Sequence, residues 1–259
     1  MIRRMFAGVT DALIMDTQIG RGQCVLDIAT GPGEPALTMA TTVGPEGQVF
    51  GIDPIAEMVA AARRAAERLR LHNVQFEVAF ADRLPFENDH FDAVISRFGV
   101  MFFPAPVEAA REILRVLKPG QKLALAAWHY ANRNPFHYSL AQVMDRYVAA
   151  MPVAPDAPDA FRFAEPGKLQ RVLQEAGAAS VSERLLRFTI EAPVPVADYL
   201  ALRLEMSEKL REKIASLSVT QVAEVKQQML ESLAEYVTDD GVAFPAEVLI
   251  VSGSKSGAA

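Results

Sequence analysis

The chain has 259 residues, 51% of them apolar, and a formal net charge of −6. That is enough apolar material for one sizeable α/β core with insertions, and the acidic balance argues against nucleic acid as the main partner. The lone cysteine, Cys24, closes no internal disulfide and fits a reducing, cytoplasmic setting. No apolar run approaches the length of a membrane span. Met1-Ile2-Arg3-Arg4 carries the charge of a signal n-region, but Asp11 and Asp16 interrupt the apolar stretch behind it, so a leader is not expected.

The first informative element is the run from Val25 to Gly33, in which an apolar strand ends around Asp27 and opens into the turn Gly31-Pro32-Gly33. A helix from Glu34 to Val43 follows, with Pro35 in its first turn, where a missing N–H costs little. Strand, glycine turn and helix form a nucleotide-binding unit: the glycines let the backbone approach a ligand, and the helix N-terminus offers free N–H groups. Gly31, Gly33 and Ala36 equally fit the dinucleotide fingerprint G-x-G-x-x-A, so this unit alone leaves a nicotinamide cofactor open. A second strand, Gln48 to Ile52, ends in Asp53, placed to accept ribose hydroxyls. A third, Val74 to Phe80, leads into Ala81-Asp82-Arg83, where a carboxylate can accept an adenine amino group.

Asp89 to Ser96 reads as a turn running into a fourth strand. The helix from Ala109 to Leu117 puts Ala110, Ile113, Leu114 and Leu117 on one face. It stops at Lys118-Pro119-Gly120, before a fifth strand from Gln121 to Trp128. Pro135 to Ala150 has Phe136, Leu140, Val143, Met144 and Tyr147 at helical spacing, and Met151 to Asp159 reads as a loop. Glu165 to Gly177 is an amphipathic helix with Leu169, Val172 and Leu173 inward and Gly177 as its stop. A sixth strand spans Ser180 to Ile190. Val196 to Val237 is helical in two pieces, the second opened by a capping box at Ser218-Val219-Thr220-Gln221. A last strand runs from Val242 to Gly253, and the small, polar tail Ser252 to Ala259 is expected to fray.

In this order VLDIATGPG, VFGID, AFADRLPF, FDAVISRFG and EILRVLKPGQKLALAAW resemble the class I S-adenosylmethionine (SAM)-dependent methyltransferases. Within them the likeness is to the branch of ubiquinone/menaquinone-biosynthesis C-methyltransferases, methyltransferase type 11. It covers residues 20 to 128 closely and the remainder loosely. Pro32 stands where the family often has Thr, and about 20 residues precede the first strand where many relatives have a longer segment over the cofactor, so a truncated N-terminus or a small lid is expected. The resemblance implies a Rossmann-like, seven-stranded, mostly parallel sheet with an antiparallel last strand and helices on both faces. It implies one domain over 1–259: a core of 20–128, 165–190 and 242–253, and helical insertions after strands five and six, 129–164 and 191–241, that cap an acceptor site.

The resemblance also implies the site. Asp27, Ala29, Thr30, Gly31 and Gly33 would take the methionine portion of SAM. Asp53 would hold the ribose, with Pro54, Ile55 and Met58 beside it. Ala81, Asp82 and Arg83 would read the adenine edge, Arg83 through its backbone. Ser96, Arg97 and Phe98 leave strand four beside the methionine amine. Met101, Phe102, Trp128, Asn132, Phe136 and His137 are the expected acceptor pocket.

SAM carries an already activated methyl, so the protein mainly supplies proximity, alignment and a dry pocket. No Cys/His/carboxylate set has metal-ligand spacing, and no metal is expected. A base is needed only where the acceptor loses a proton; His129, directly after strand five, is the candidate, weighed against an ordinary loop histidine. The expectation is methyl transfer from SAM, leaving S-adenosylhomocysteine, to a small, mostly apolar, aromatic or quinone-like acceptor. A homodimer is an expected arrangement, with no nucleic acid as partner. An NAD(P)-dependent oxidoreductase and a non-catalytic SAM-binding regulatory module are the alternatives.

Overall fold

The computed structural model describes residues 2–148, 154 and 156–257. Its strands are β1 (Cys24–Ile28), β2 (Gln48–Asp53), β3 (Val74–Val78), β4 (Phe91–Arg97), β5 (Leu117–Trp128), β6 (Ala179–Ala192), β7 (Val237–Thr238) and β8 (Gly241–Ser254). Its helices are α1 (Ile2–Met5), α2 (Ala7–Thr17), α3 (Ala36–Val43), α4 (Ala56–Leu69), α5 (Pro106–Val116), α6 (Pro135–Asp145), α7 (Lys168–Glu175), α8 (Val196–Met206), α9 (Glu208–Ala215) and α10 (Val219–Leu233). The chain divides into two compact units. The larger holds Ala7–His129, Asp156–Leu186 and Val248–Ala259; the smaller holds Met1–Phe6, Tyr130–Pro155 and Arg187–Glu247.

The sheet has the order β3-β2-β1-β4-β5-β8-β6, with β7 pairing β8 off this path. In the larger unit β1 pairs β2 and β4 in parallel, β2 pairs β3 and β4 pairs β5 in the same sense, and β8 runs antiparallel to β5. The two-residue β7 is a strand that the sequence reading does not contain. The central strands are buried on both faces: Val25, Leu26, Ile28, Phe91, Ile95 and Leu123 have no accessible surface. That is why they read as apolar runs rather than alternations. β3 lies at the edge and alternates, with Val74 and Phe76 inward.

α5 closes one face with Ala109, Ala110, Ile113 and Leu114 buried; the last three belong to the expected stripe, whereas Leu117, also expected on it, begins β5. α4 presents Val59, Ala62 and Ala66 and ends on Arg70 in a left-handed conformation. Burying one such aliphatic side chain contributes about 1.5–3 kcal/mol. Several expected boundaries shift, two of them at turns. α3 begins at Ala36 because the turn runs on through Pro35. The expected turn at Lys118-Pro119-Gly120 lies inside β5, where Leu117 pairs with Phe91 and the register shifts before Ala93 meets Lys122.

In the smaller unit Phe136, Tyr199 and Phe244 form an aromatic core, with rings 5.2 to 6.5 Å apart. Leu140, Val143 and Met144 of α6 and Val225, Met229 and Leu233 of α10 are buried with them. The expected capping box is made: Gln221 N donates to Ser218 Oγ, and the Gln221 side chain accepts from Ser218 N at 3.0 Å. The segment expected as two helical pieces is three helices. Ser207, in extended backbone, ends α8 and caps α9 by accepting from Leu210 N. α6 stops at Asp145; residues 149–150 of the expected helix, 151–153 and 155 of the expected loop, and 258–259 of the tail lie outside the described residues. Among the described residues no helix is long and apolar enough to cross a membrane.

Candidate functional site

The carboxyl ends of the parallel strands open onto a cavity of about 400 Å³ in the larger unit, where open α/β sheets bind ligands. Ile28 and Ala29 after β1, Asp53 to Ile55 after β2, Ala79 to Asp82 after β3, and Phe98 and Gly99 after β4 form its wall, closed by Phe102 to Ala105 and by Ala109 of α5. Among the described residues the lining is apolar except for two carboxylates, Asp53 and Asp82. Ile55, Phe80 and Phe102 are half-exposed at its rim.

Asp53 is tied down from two sides. Its Oδ2 accepts from Gly31 N at 2.9 Å and its Oδ1 from Ile55 N at 3.0 Å. Each carboxylate oxygen accepts more than one hydrogen bond, so the group stays available to ligand hydroxyls while its rotamer is fixed. Gly31 has φ +56, and a Cβ there would meet nothing within 4 Å; the space beside its backbone is open.

The β1 and β4 loops interlock. Ser96 Oγ donates to Ile28 O at 2.8 Å. A Cβ on Gly99 would lie 2.4 Å from Ala29 Cβ, so that glycine is required by a close approach. Ala29 and Phe98 both hold positive φ, +59 and +65. The Phe98 amide donates to Ala126 O at 3.0 Å, and its ring stacks on Trp128 with centroids 4.2 Å apart and planes 3° from parallel.

Beneath this loop lies Asp27, with no accessible surface. Its Oδ2 accepts from Ala36 N at 3.1 Å. Burial pushes its pKa up to about 7, Glu34 adds to the rise, and Thr30, Arg97 and the Ala36 amide pull it back. The Thr30 influence is a near approach, not a made bond: Asp27 Oδ1 and Thr30 Oγ1 are both buried without a hydrogen-bond partner among the described residues. The buried Arg97 donates to Thr10 Oγ1 at 2.7 Å and to Glu34 O at 3.1 Å, and burial lowers its pKa.

Of the residues expected at the cofactor, the cavity therefore gathers Ala29, Asp53, Pro54, Ile55, Ala81, Asp82 and Phe98. Gly31 reaches it through the Asp53 bond, and Ser96 and Arg97 brace its loops. Gly33 packs against Leu37 and Ala62. Met58 is exposed on α4 outside the lining. The Arg83 amide closes the turn back to Phe80 O at 3.2 Å, so Asp82 is the group of that turn facing the cavity. Of the expected acceptor residues, Phe102 lines the cavity, Trp128 is buried against Phe98, and Met101 is 1% exposed in the core. His129 follows β5 and is partly exposed.

The other three belong to the smaller unit. Asn132 lines a shallow cleft there with Tyr138 and Tyr236. Phe136 is buried in the aromatic core with the Arg203 guanidinium 4.0 Å over its ring. Burial and the Arg203 charge lower the His137 pKa to about 3. Asn134, two residues after Asn132, is wholly buried and binds the backbone of Glu247 through both ends of its amide, at 3.0 and 2.9 Å. The sequence reading did not single out Phe80, Pro104 or Ala105 as site residues; their signal is position, directly after β3 and behind the apolar run after β4. No group of three or more metal-ligating side chains occurs among the described residues.

A profile of the methyltransferase domain family matches residues 19–177. The demethylmenaquinone methyltransferase of Listeria welshimeri is 37% identical over 107 residues, 41% of this chain and 45% of that protein. The ubiquinone/menaquinone biosynthesis C-methyltransferase UbiE of Azotobacter vinelandii is 37% identical over 138 residues, 52% of this chain and 53% of that one. The chain thus spans about half the length of the curated relatives it matches. The crystal structure of the YcgJ protein of Bacillus subtilis has the same fold, with a TM-score of 0.62 at 19% identity over 97% of this chain and 100% of that one.

Proposed function

The chain belongs to the methyltransferase domain family, and on that premise we propose that it transfers the methyl group of SAM to a small, mostly apolar acceptor. The observation that carries the reading is the order of polar groups along the strand ends: Asp82 after β3, Asp53 after β2, then the open Gly31 backbone and buried Asp27 at β1. An adenine amine, two ribose hydroxyls and a methionine ammonium meet acceptors in that order. The cavity of about 400 Å³ lies within the range of small-molecule sites, and Asp27 Oδ1 is an orphaned buried acceptor that a cation satisfies.

In this reading Asp53 accepts the ribose hydroxyls while Gly31 N and Ile55 N hold its carboxylate still. Asp82 accepts the adenine amine, and Ile55 and Phe80 cover the ring's faces. Asp27 binds the methionine ammonium directly or through water, and Arg97 supports its charged form. When bound, SAM supplies an activated methyl, so the chain's task is alignment and exclusion of water. His129 takes a proton where the acceptor must lose one. The segments 129–164 and 191–241 carry acceptor selection. The printed names of the relatives support an aromatic or quinone-like ring.

Separate calorimetric titrations with SAM, S-adenosylhomocysteine and NAD test the cofactor, and methyl transfer from labelled SAM to a metabolite panel tests the reaction. Binding of the first two without NAD is expected. Tight NAD binding with no response to S-adenosylhomocysteine refutes the reading in favour of an oxidoreductase. SAM binding with no transfer to any acceptor favours a regulatory module.

A further inference from the structure

The strand ends stand in the order β3, β2, β1, β4, β5, each about 4.8 Å from the next. Asp82 and Asp53 occupy the first two places, the Ala29–Gly31 turn the third, Phe98 the fourth and Trp128 the fifth. A ligand whose parts follow one another as adenine, ribose and sulfonium sets the first two against the carboxylates and its positive sulfur toward the ends of β1 and β4. Among the described residues of the cavity lining no carboxylate stands there, since Asp53 and Asp82 are its charged side chains. The cavity offers an aromatic side chain. Phe98 lines the cavity, and Trp128, 3% exposed, is stacked on it. The negative face of an aromatic ring attracts a cation.

The placing of that ring is over-determined. Phe98 holds φ +65, a strained conformation for a non-glycine residue that persists where the surroundings impose it. Here the Phe98 amide is bound to Ala126 O, the Ser96 hydroxyl is bound to Ile28 O, and Gly99 is pressed against Ala29. We propose that the stacked Phe98–Trp128 pair recognises the positive charge of the sulfonium, so that the site distinguishes SAM from S-adenosylhomocysteine, which lacks that charge. This rests on the methyltransferase reading above. A ring that favours the charged ligand loosens the site's hold once the methyl has left, which favours product release.

The test is calorimetric titration of the whole chain with SAM and with S-adenosylhomocysteine, for the wild type, Phe98→Leu, Phe98→Tyr and Trp128→Leu. Phe98→Leu keeps apolar volume and removes the ring. It is expected to weaken SAM binding about 5- to 30-fold, the change that about 1–2 kcal/mol of cation–π attraction converts to, and to alter S-adenosylhomocysteine binding less than about twofold. Phe98→Tyr is expected to restore the preference. Trp128→Leu reports on the pair independently if Phe98→Leu unfolds, and should lower the SAM preference in the same direction. Equal losses for both ligands, or no loss for either, overturn the inference and leave an apolar contact. A wild type that binds neither ligand overturns the methyltransferase reading itself.

Discussion

Asp27→Asn is expected to make the ligand-free protein more stable at alkaline pH while weakening its cofactor site. The Asp27 carboxyl has no accessible surface, and its pKa stands at about 7 against an ordinary 3.8. The sign follows from proton counting. Between those two values the unfolded chain has released the proton and the folded chain has kept it, so stability falls as pH rises through that window. About three pH units at roughly 1.4 kcal/mol each give a penalty on the order of 4 kcal/mol at pH 8, most of it absent near pH 4. Asparagine imitates the protonated acid. Its carbonyl still accepts from Ala36 N, and its amide can donate toward the orphaned Thr30 Oγ1. Urea unfolding of both proteins across pH 5 to 8 measures the difference, and comparing the two cancels His137, whose lowered pKa makes stability fall in the opposite direction, below its ordinary value of 6.5. The advantage of the variant should grow by about 2.5 kcal/mol between pH 5 and pH 8. Saturating SAM should flatten the wild-type dependence, because a cation beside the carboxylate lowers its pKa. An advantage that does not change with pH refutes the reasoning, since it means that Asp27 is charged throughout.

Asp53→Ala removes the acceptor shared by Gly31 N and Ile55 N and is expected to weaken SAM binding about 10- to 100-fold, from about 1.5–3 kcal/mol for a hydrogen bond to a charged group; unchanged affinity with unchanged melting would place the ribose elsewhere. Gly99→Ala puts a methyl 2.4 Å from Ala29 Cβ and 2.7 Å from Ser96 Oγ. It should cost about 1–3 kcal/mol in urea unfolding, and a neutral result would show that the two loops are free to part. His137→Asn should leave the shape of the pH–rate profile between about pH 5 and 9 intact, because His137 is already neutral there. His129→Asn should lower kcat about 100-fold for an acceptor that must lose a proton while sparing SAM affinity; the reverse pattern would exchange their roles.

What the sequence determined by itself is whatever short-range physics writes into neighbouring residues. The buried parallel strands announce themselves as apolar runs, and α5 as a 3.6-residue stripe. The capping box at Ser218 is a contact between residues three apart, so it is legible without the fold. Asp53 and Asp82 were legible because a strand's carboxyl end places the next residues at the ligand face whatever the rest of the chain does. Contacts between residues far apart in the chain were left to the tertiary structure. Ser96 and Ile28 are 68 positions apart, and Asn134 and Glu247 are 113 apart. Asn134 had the composition of a pocket residue, yet it is a buried backbone tie, because one side chain met two edges of a distant peptide. His137 stood among the expected pocket residues, yet burial beside Arg203 keeps it neutral. Likewise, no local pattern says that Phe98 and Trp128 stack. That follows from β4 and β5 lying side by side in parallel, with the register that sets Arg97 opposite Ala126 and so brings Phe98, just after β4, beside Trp128 at the end of β5.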